Sequence, residues 1–298
     1  MPKKIDAGTI DLSKIANLKA VEKAEPGFEE RVTKSETKKR ETGAGKYNFI
    51  SEPELIPLPS GGRLYDKVTS DPEVLNGFIR LRQMTIKEEE ILSTSRFAKT
   101  GSTTRMIISR CIDSAIDAKD VLLFDSNYLL FRLRQISYGD EYSFELQCTN
   151  TLCERKFQHK VIISKLKFET LPKDFTEPIT VKLPKSKYTV FVLLPRLYHS
   201  EEIYMRNTNR KKNSDDEDKR LVDNIYVITV DILDPEGTSI PKGEWEEFLN
   251  SLPSIDRATI TKATDFTTGV DRLSNVVCPY CESDYSGTIP IGPDFFRF

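Results

Sequence analysis

Four cysteines, arranged as two pairs, are the residues whose type and spacing most clearly support chemistry. Cys148 and Cys153 bracket Thr-Asn-Thr-Leu, and Cys278 and Cys281 bracket Pro-Tyr. Each pair bends one turn so that two thiolates can converge. Four thiolates form the tetrahedral sulfur shell that structural Zn2+ prefers. The second pair has the standard two-residue gap, and the first, with four residues between its cysteines, sits at the wide end of the known spacings. The pairs lie far apart in the chain, so an ion here would clamp two distant segments rather than build a compact finger. Two disulfides, or four unrelated thiols, are the alternatives. A shell of four sulfurs leaves no open coordination position, so the metal would hold structure and do no chemistry. The fifth cysteine, Cys111, lies among Ile107, Ile108, Ile112 and Ala115 and reads as a small buried hydrophobe.

Catalysis needs a nucleophile, a base or an open metal site. Only two histidines are present. His159 follows the first cysteine turn and can replace one sulfur, but four cysteines already suffice. His199 opens a helix and reads as a surface or capping residue. No nucleophile elbow, phosphate-binding glycine loop or His-Glu-x-x-His occurs. Glu88-Glu89-Glu90 and Asp215-Asp216-Glu217-Asp218 read as solvated charge runs. The expectation is a protein that is not an enzyme.

Apolar residues make up 38% of the chain and charged residues 30%, a balance that fits a core with extended polar segments. A net charge of -2 argues against a nucleic-acid binder. No apolar run is long enough to span a bilayer. The charged N-terminus lacks a signal-peptide stretch, and the expected folding in a reducing cytoplasm favours metal over disulfide.

Several elements must position the cysteines. Residues 1–50 read as an extended arm, too polar to fold alone. Within it Leu12, Ile15, Leu18 and Val21 form the stripe of a short amphipathic helix suited to a partner's groove. Residues 51–298 read as one α+β domain. Leu58-Pro59-Ser60-Gly61-Gly62 predicts a turn, and 77–84 alternates as a strand. Thr85 and Glu88 mark a capping box. A helix is expected over 103–117, and another is capped by Asp125 and ended by Gly139. Alternation on both sides of the first cysteine pair predicts a hairpin with the cysteines at its tip over 141–163, and 275–291 predicts a second. Ile179–Leu183 and Tyr188–Leu194 read as another hairpin. Helices are expected over 199–212, 219–232, 242–249 and 254–263. The fold class is therefore α+β: a helical middle, short antiparallel β-hairpins, and a zinc-ribbon-like unit joining two distant cysteine turns.

Leu58-Pro59-Ser60-Gly61-Gly62-Arg63-Leu64-Tyr65, the segment Arg82 to Leu92, and Asp125 to Tyr142 leading into the first cysteine pair follow one another in a familiar order. Their succession resembles the baseplate hub subunit family of T-even-type contractile-tailed bacteriophages, over about residues 55–200. The resemblance implies a non-enzymatic structural component of the tail baseplate, in the hub or at a hub–wedge connection. It implies protein partners among hub, wedge or tail-tube proteins, several copies per tail, and a place in the virion. Two other readings stand beside it: a hub assembly chaperone absent from the finished virion, and a zinc-ribbon nucleic-acid binder. The expected metal ligands are Cys148, Cys153, Cys278 and Cys281. No membrane partner and no nucleic-acid partner is expected.

Overall fold

Two hairpin-like approaches and one long helix organise the main core. The computed structural model describes residues 52–93, 102–212, 219–264, 269–270 and 272–296. The expected helix over the Leu12–Val21 stripe and the acidic run Asp215 to Asp218 lie outside the described residues.

The chain enters as β1 (Glu54–Pro57) and pairs antiparallel with β2 (Phe78–Leu81), Ile56 opposite Ile79. Both of these side chains, and Leu81, are buried. The intervening segment holds α1 (Pro72–Leu75), whose Asp71 side chain accepts the Glu73 N–H as an N-cap. Gly62 adopts φ +77, and a Cβ there would sit 2.2 Å from the Val74 carbonyl oxygen. Only glycine permits that approach.

Helix α2 (Ile86–Ser93) begins at the predicted box, but the box is rearranged. Glu88 accepts both the Thr85 N–H and the Thr85 hydroxyl at 2.8 Å, and Arg82 closes on it at 3.0 Å. Glu88 is 1% exposed, so it is not part of a solvated run. Burial alone would raise its pKa, yet the Arg82 and Thr85 hydrogen bonds hold it below the ordinary value.

Helix α3 (Thr103–Cys111) is shorter than predicted, because Ile112 turns extended and bridges Leu81. The Arg82 N–H donates to the Cys111 carbonyl and the Asp113 N–H to the Arg80 carbonyl. Sheet-like partners in β2 thus outcompete further helix. Cys111 is fully buried, as expected.

Helix α4 (Leu123–Tyr138) ends at Gly139, φ 91, as predicted. It starts before Asp125, because the Leu122 N–H reaches the Tyr65 hydroxyl and the Leu123 N–H reaches the Pro195 carbonyl. Asp125 is therefore not the cap. Its buried face, with Leu129, Leu130 and Leu133, runs through the main core.

The expected cysteine-tipped hairpin follows as β3 (Glu141–Gln147) and β4 (Lys156–Ile162), with Tyr142 opposite Val161 and Leu146 opposite Phe157. A two-residue strand, β5 (Phe168–Glu169), comes next.

A second core forms under a three-stranded antiparallel sheet: β6 (Ile179–Lys182), β7 (Thr189–Val192) and β8 (Thr229–Leu233) in that order. Helices α5 (Leu197–Lys212) and α6 (Arg220–Tyr226) lie between β7 and β8 in sequence. The predicted helix over 219–232 is thus half wrong. Ile228 and Ile232 are buried, but Thr-Val-Asp-Ile pairs with β7, where β-branched side chains fit the pleat. Leu221, the first residue of the supposed apolar face, is 62% exposed. Helices α7 (Trp245–Ser251) and α8 (Ser254–Thr264) complete this core. The Asp256 carboxylate in α8 takes the N–H groups of Lys185 and Ser186, fixing the β6–β7 turn.

The chain then forms β9 (Gly269–Val270), paired with β5, and the second cysteine hairpin, β10 (Leu273–Val277) with β11 (Asp284–Thr288). After it, Phe295 packs edge-on against Phe131 and Tyr142 in the main core. The architecture is the expected mixture of helices and short antiparallel sheets.

Candidate metal centre

Both cysteine turns are built to one plan. In the first, the Cys148 N–H donates to the Arg155 carbonyl at 2.9 Å, and the Cys153 N–H turns back to the Asn150 carbonyl at 2.9 Å. In the second, the Cys278 N–H donates to the Ser283 carbonyl at 3.1 Å, and the Glu282 N–H to the Cys278 carbonyl at 3.0 Å. The residue after the second cysteine takes a left-handed backbone in each case: Glu154 at φ 48 and Glu282 at φ 57. Side chains rarely adopt that region, so the repeated conformation marks a turn over-determined by its surroundings.

The two hairpins pack against each other through Phe157, Val276, Leu146 and Tyr285. Gly287 lies where the second hairpin comes close to Leu146 of the first. A Cβ there would meet Val276 Cγ2 at 2.9 Å and Leu146 Cδ1 at 3.1 Å. Polar ties run across the same contact. Asn150 Nδ2 donates to Ser283 Oγ at 3.0 Å, and the Tyr285 hydroxyl reaches the Gln147 carbonyl at 3.3 Å.

This packing brings all four sulfurs together. Their ligand atoms lie within 4.8 Å of one another. Two of the separations cross between hairpins: Cys148 Sγ to Cys281 Sγ at 3.6 Å and Cys153 Sγ to Cys278 Sγ at 3.9 Å. A tetrahedron with Zn–S bonds of about 2.3 Å has edges of about 3.8 Å, so the cluster has the right size for such an ion. The separations are far beyond a disulfide's length of about 2.05 Å, and all five cysteines are free thiols. The four clustered cysteines can hold a metal ion and fit a zinc-ribbon-like unit.

The thiols do not ionise alike. Burial pushes the Cys148 thiol up to about 12. Hydrogen bonding with Ser283 pulls Cys281 down to about 6. Four thiolates at this spacing repel one another, and a central dication is what lets a coordinating thiol stay deprotonated. His159 is not among the converging residues. Its Nε2 lies 3.0 Å from Ser274 Oγ, which adds another tie between the hairpins. His199 is buried at 3% exposure, so it is no surface residue. Its Nδ1 accepts the Arg196 N–H at 3.0 Å, the reciprocal half of a capping box at the start of α5.

A second polar cluster escaped the sequence reading. Asp125, 0% exposed, accepts the Ser60 N–H at 2.9 Å through one oxygen and the Tyr65 hydroxyl at 2.7 Å through the other. Arg196 donates to the Leu64 and Asp120 carbonyls, both at 2.7 Å. Burial raises the Asp125 pKa to about 6, against the pull of these donors. The Leu58–Tyr65 turn is thus bolted to α4 by a carboxylate. The serine-glycine turn itself was visible in sequence; the aspartate that binds it was not, because nothing local links residues so far apart.

Fold and centre together define an α+β protein whose distinctive chemistry is a four-cysteine clamp between distant hairpins. Residues 56–297 match the family described as T4 bacteriophage base plate protein, and the chain belongs to that family. No curated protein and no solved structure matches it. Family membership suggests a structural, non-enzymatic protein of the virion tail baseplate that contacts other baseplate proteins.

Proposed function

We propose that this chain is a structural component of the contractile-tail baseplate, placed in the hub or at a hub–wedge connection and retained in the finished virion. The family match over residues 56–297 supports the baseplate assignment, and the hub placement rests on the succession of motifs from Leu58 to the first cysteine pair. In this reading, Cys148, Cys153, Cys278 and Cys281 bind one Zn2+. The ion supplies four bonds of fixed geometry and no reactivity. The protein supplies two preformed turns, and Asn150, Ser283 and Gly287 set how closely they meet. Arm residues 1–50 belong to the same proposal: the stripe Leu12, Ile15, Leu18 and Val21 binds a neighbouring hub, wedge or tail-tube protein.

Two measurements test this reading. Quantitative mass spectrometry of purified virions is expected to find the chain at a small multiple of the tail's symmetry. Its presence in infected-cell extracts but not in virions would make it an assembly chaperone instead. Elemental analysis of reduced, folded protein is expected to give one zinc per chain. Metal-free protein with an unchanged melting temperature would remove zinc from the proposal. Cys278→Ser is expected to lower the melting temperature sharply, since structural zinc can contribute on the order of 10 kcal/mol to folding.

A further inference from the structure

The same two turns that gather the sulfurs also push apolar side chains outward. Leu152, immediately before Cys153, is 96% exposed, and Tyr280, immediately before Cys281, is 53% exposed. Val277, on the outer side of β10, is 58% exposed. A lone exposed leucine needs no explanation. Equivalent placement of a large hydrophobe in both turns, at the joined ends of two hairpins, does.

The backbone that carries Leu152 and the ring of Tyr280 are held as well as exposed. The Asn150 carboxamide accepts the Leu152 N–H at 2.9 Å and reaches across to Ser283 with its amide nitrogen. The Arg155 guanidinium lies over the Tyr280 ring, 5.1 Å from its centroid. Groups fixed before contact lose little conformational entropy when a partner covers them. Tyrosine and arginine are also the residue types that most often anchor an interface.

The charge around the tip indicates what would cover it. Glu154 and Glu282 directly follow the second cysteine of each turn, and Asp284 opens β11; all three are exposed. Lys156 is drawn to Glu145 at 2.8 Å, so Arg155 is the remaining basic residue beside three carboxylates in the two turns. An anionic lipid surface would repel such a rim.

We infer that the joined tips of the two cysteine turns form a docking surface for a protein that offers an apolar pocket bordered by lysine or arginine. Leu152 and Tyr280 enter the pocket, and Glu154, Glu282 and Asp284 meet its rim. The inference rests on the assembly role proposed above and adds the surface and the chemistry of its partner.

The test places benzoyl-phenylalanine at position 152 of the full chain, made during infection and irradiated in the cell, with position 255 in α8 as an exposed control. One protein is expected to cross-link at 152 and not at 255, through a peptide with lysine or arginine beside the linked residue. Tyr280→Asp, combined with the probe, is expected to cut the yield about tenfold or more while zinc content and melting temperature stay unchanged. Equal labelling at both positions, a linked peptide without basic residues, or a yield insensitive to Tyr280→Asp would overturn the inference. So would flotation of the purified protein with phosphatidylglycerol vesicles that depends on Leu152. A single basic partner that is not a baseplate protein would leave the docking surface standing and refute the assembly role.

Discussion

Two buried groups should make stability depend on pH in opposite directions, and substitution separates them. Burial raises Asp125 from 3.8 to about 6. A raised folded-state pKa gives stability that is full below the unfolded value and is lost as pH rises through about 6. On going from pH 7.5 to pH 5, this group alone should therefore add about 1 kcal/mol to the unfolding free energy. Burial and the Arg196 charge lower His199 from 6.5 to about 4. A lowered histidine gives stability that is present above the unfolded value and is lost as pH falls towards about 4. Over the same interval it should remove ~2 kcal/mol. The two act in opposite directions, so the wild-type curve by itself reveals little. Asp125→Asn removes the first titration. His199→Gln removes the second while keeping a side-chain acceptor for the Arg196 N–H. Urea unfolding of all three proteins at pH 5, 6, 7 and 7.5 is the assay. Relative to wild type, Asp125→Asn should lose stability towards pH 5 and His199→Gln should gain it. Curves parallel to wild type across the interval would refute the assignment of these protons. An overall offset would not, since asparagine can accept only one of the two donors now bonded to Asp125.

Three further outcomes follow from single contacts. Tyr65→Phe should cost about 3–5 kcal/mol in urea unfolding, because it strands the buried Leu122 N–H and removes a hydrogen bond to a buried carboxylate. Gly287→Ala should destabilise by about 1–3 kcal/mol through overpacking against Val276 and Leu146, and competition with a chromophoric chelator should show weaker zinc binding. Glu282→Gly should raise the melting temperature slightly, by about 0.5–1 kcal/mol of stability, since relief of the left-handed strain outweighs glycine's unfolded-state entropy; a lowered melting temperature would mean that the Glu282 side chain makes a stabilising contact.

The parts legible in the sequence were those whose signals are local. Gly139 stopped α4, alternation around the cysteines gave both hairpins, and proline with paired glycine gave the turn before Tyr65. The convergence of the cysteines was read from ligand chemistry, which specifies the partners without specifying the path between them. What failed had one common cause. Helix α3 stops because Ile112 bridges Leu81. Helix α4 starts early because Tyr65 takes the Leu122 N–H. The segment after Val227 is a strand because β7 has a free edge for it. In each case a partner distant in sequence, a backbone group or the Tyr65 hydroxyl, set a boundary that local periodicity left open. The burial of Glu88 beside Arg82 and of His199 behind Arg196 escaped notice for the same reason: pairing across the fold decides whether a charged or titratable side chain faces water.

The cysteine clamp matters more here than its size suggests. The first cysteine hairpin grows directly from α4, the central helix of the main core, whereas the second is reached only after the chain has built the separate core under β6, β7 and β8. Neither two-stranded sheet is stable alone, and their mutual apolar contact is small: Phe157, Val276, Leu146 and Tyr285 beside the cysteines. Four metal–sulfur bonds at this contact would set the spacing and angle of the two tips far more rigidly than those side chains can. That rigidity is what a docking surface divided between two hairpins requires, since Leu152 and Tyr280 come from different segments and must enter one pocket together. A metal that does no chemistry and an apolar tip left largely exposed among the described residues are then two halves of one device. Removing the ion should abolish cross-linking at position 152 before the main core unfolds. Cross-linking that persists in metal-depleted but folded protein would separate the two halves and leave the clamp with a folding role alone.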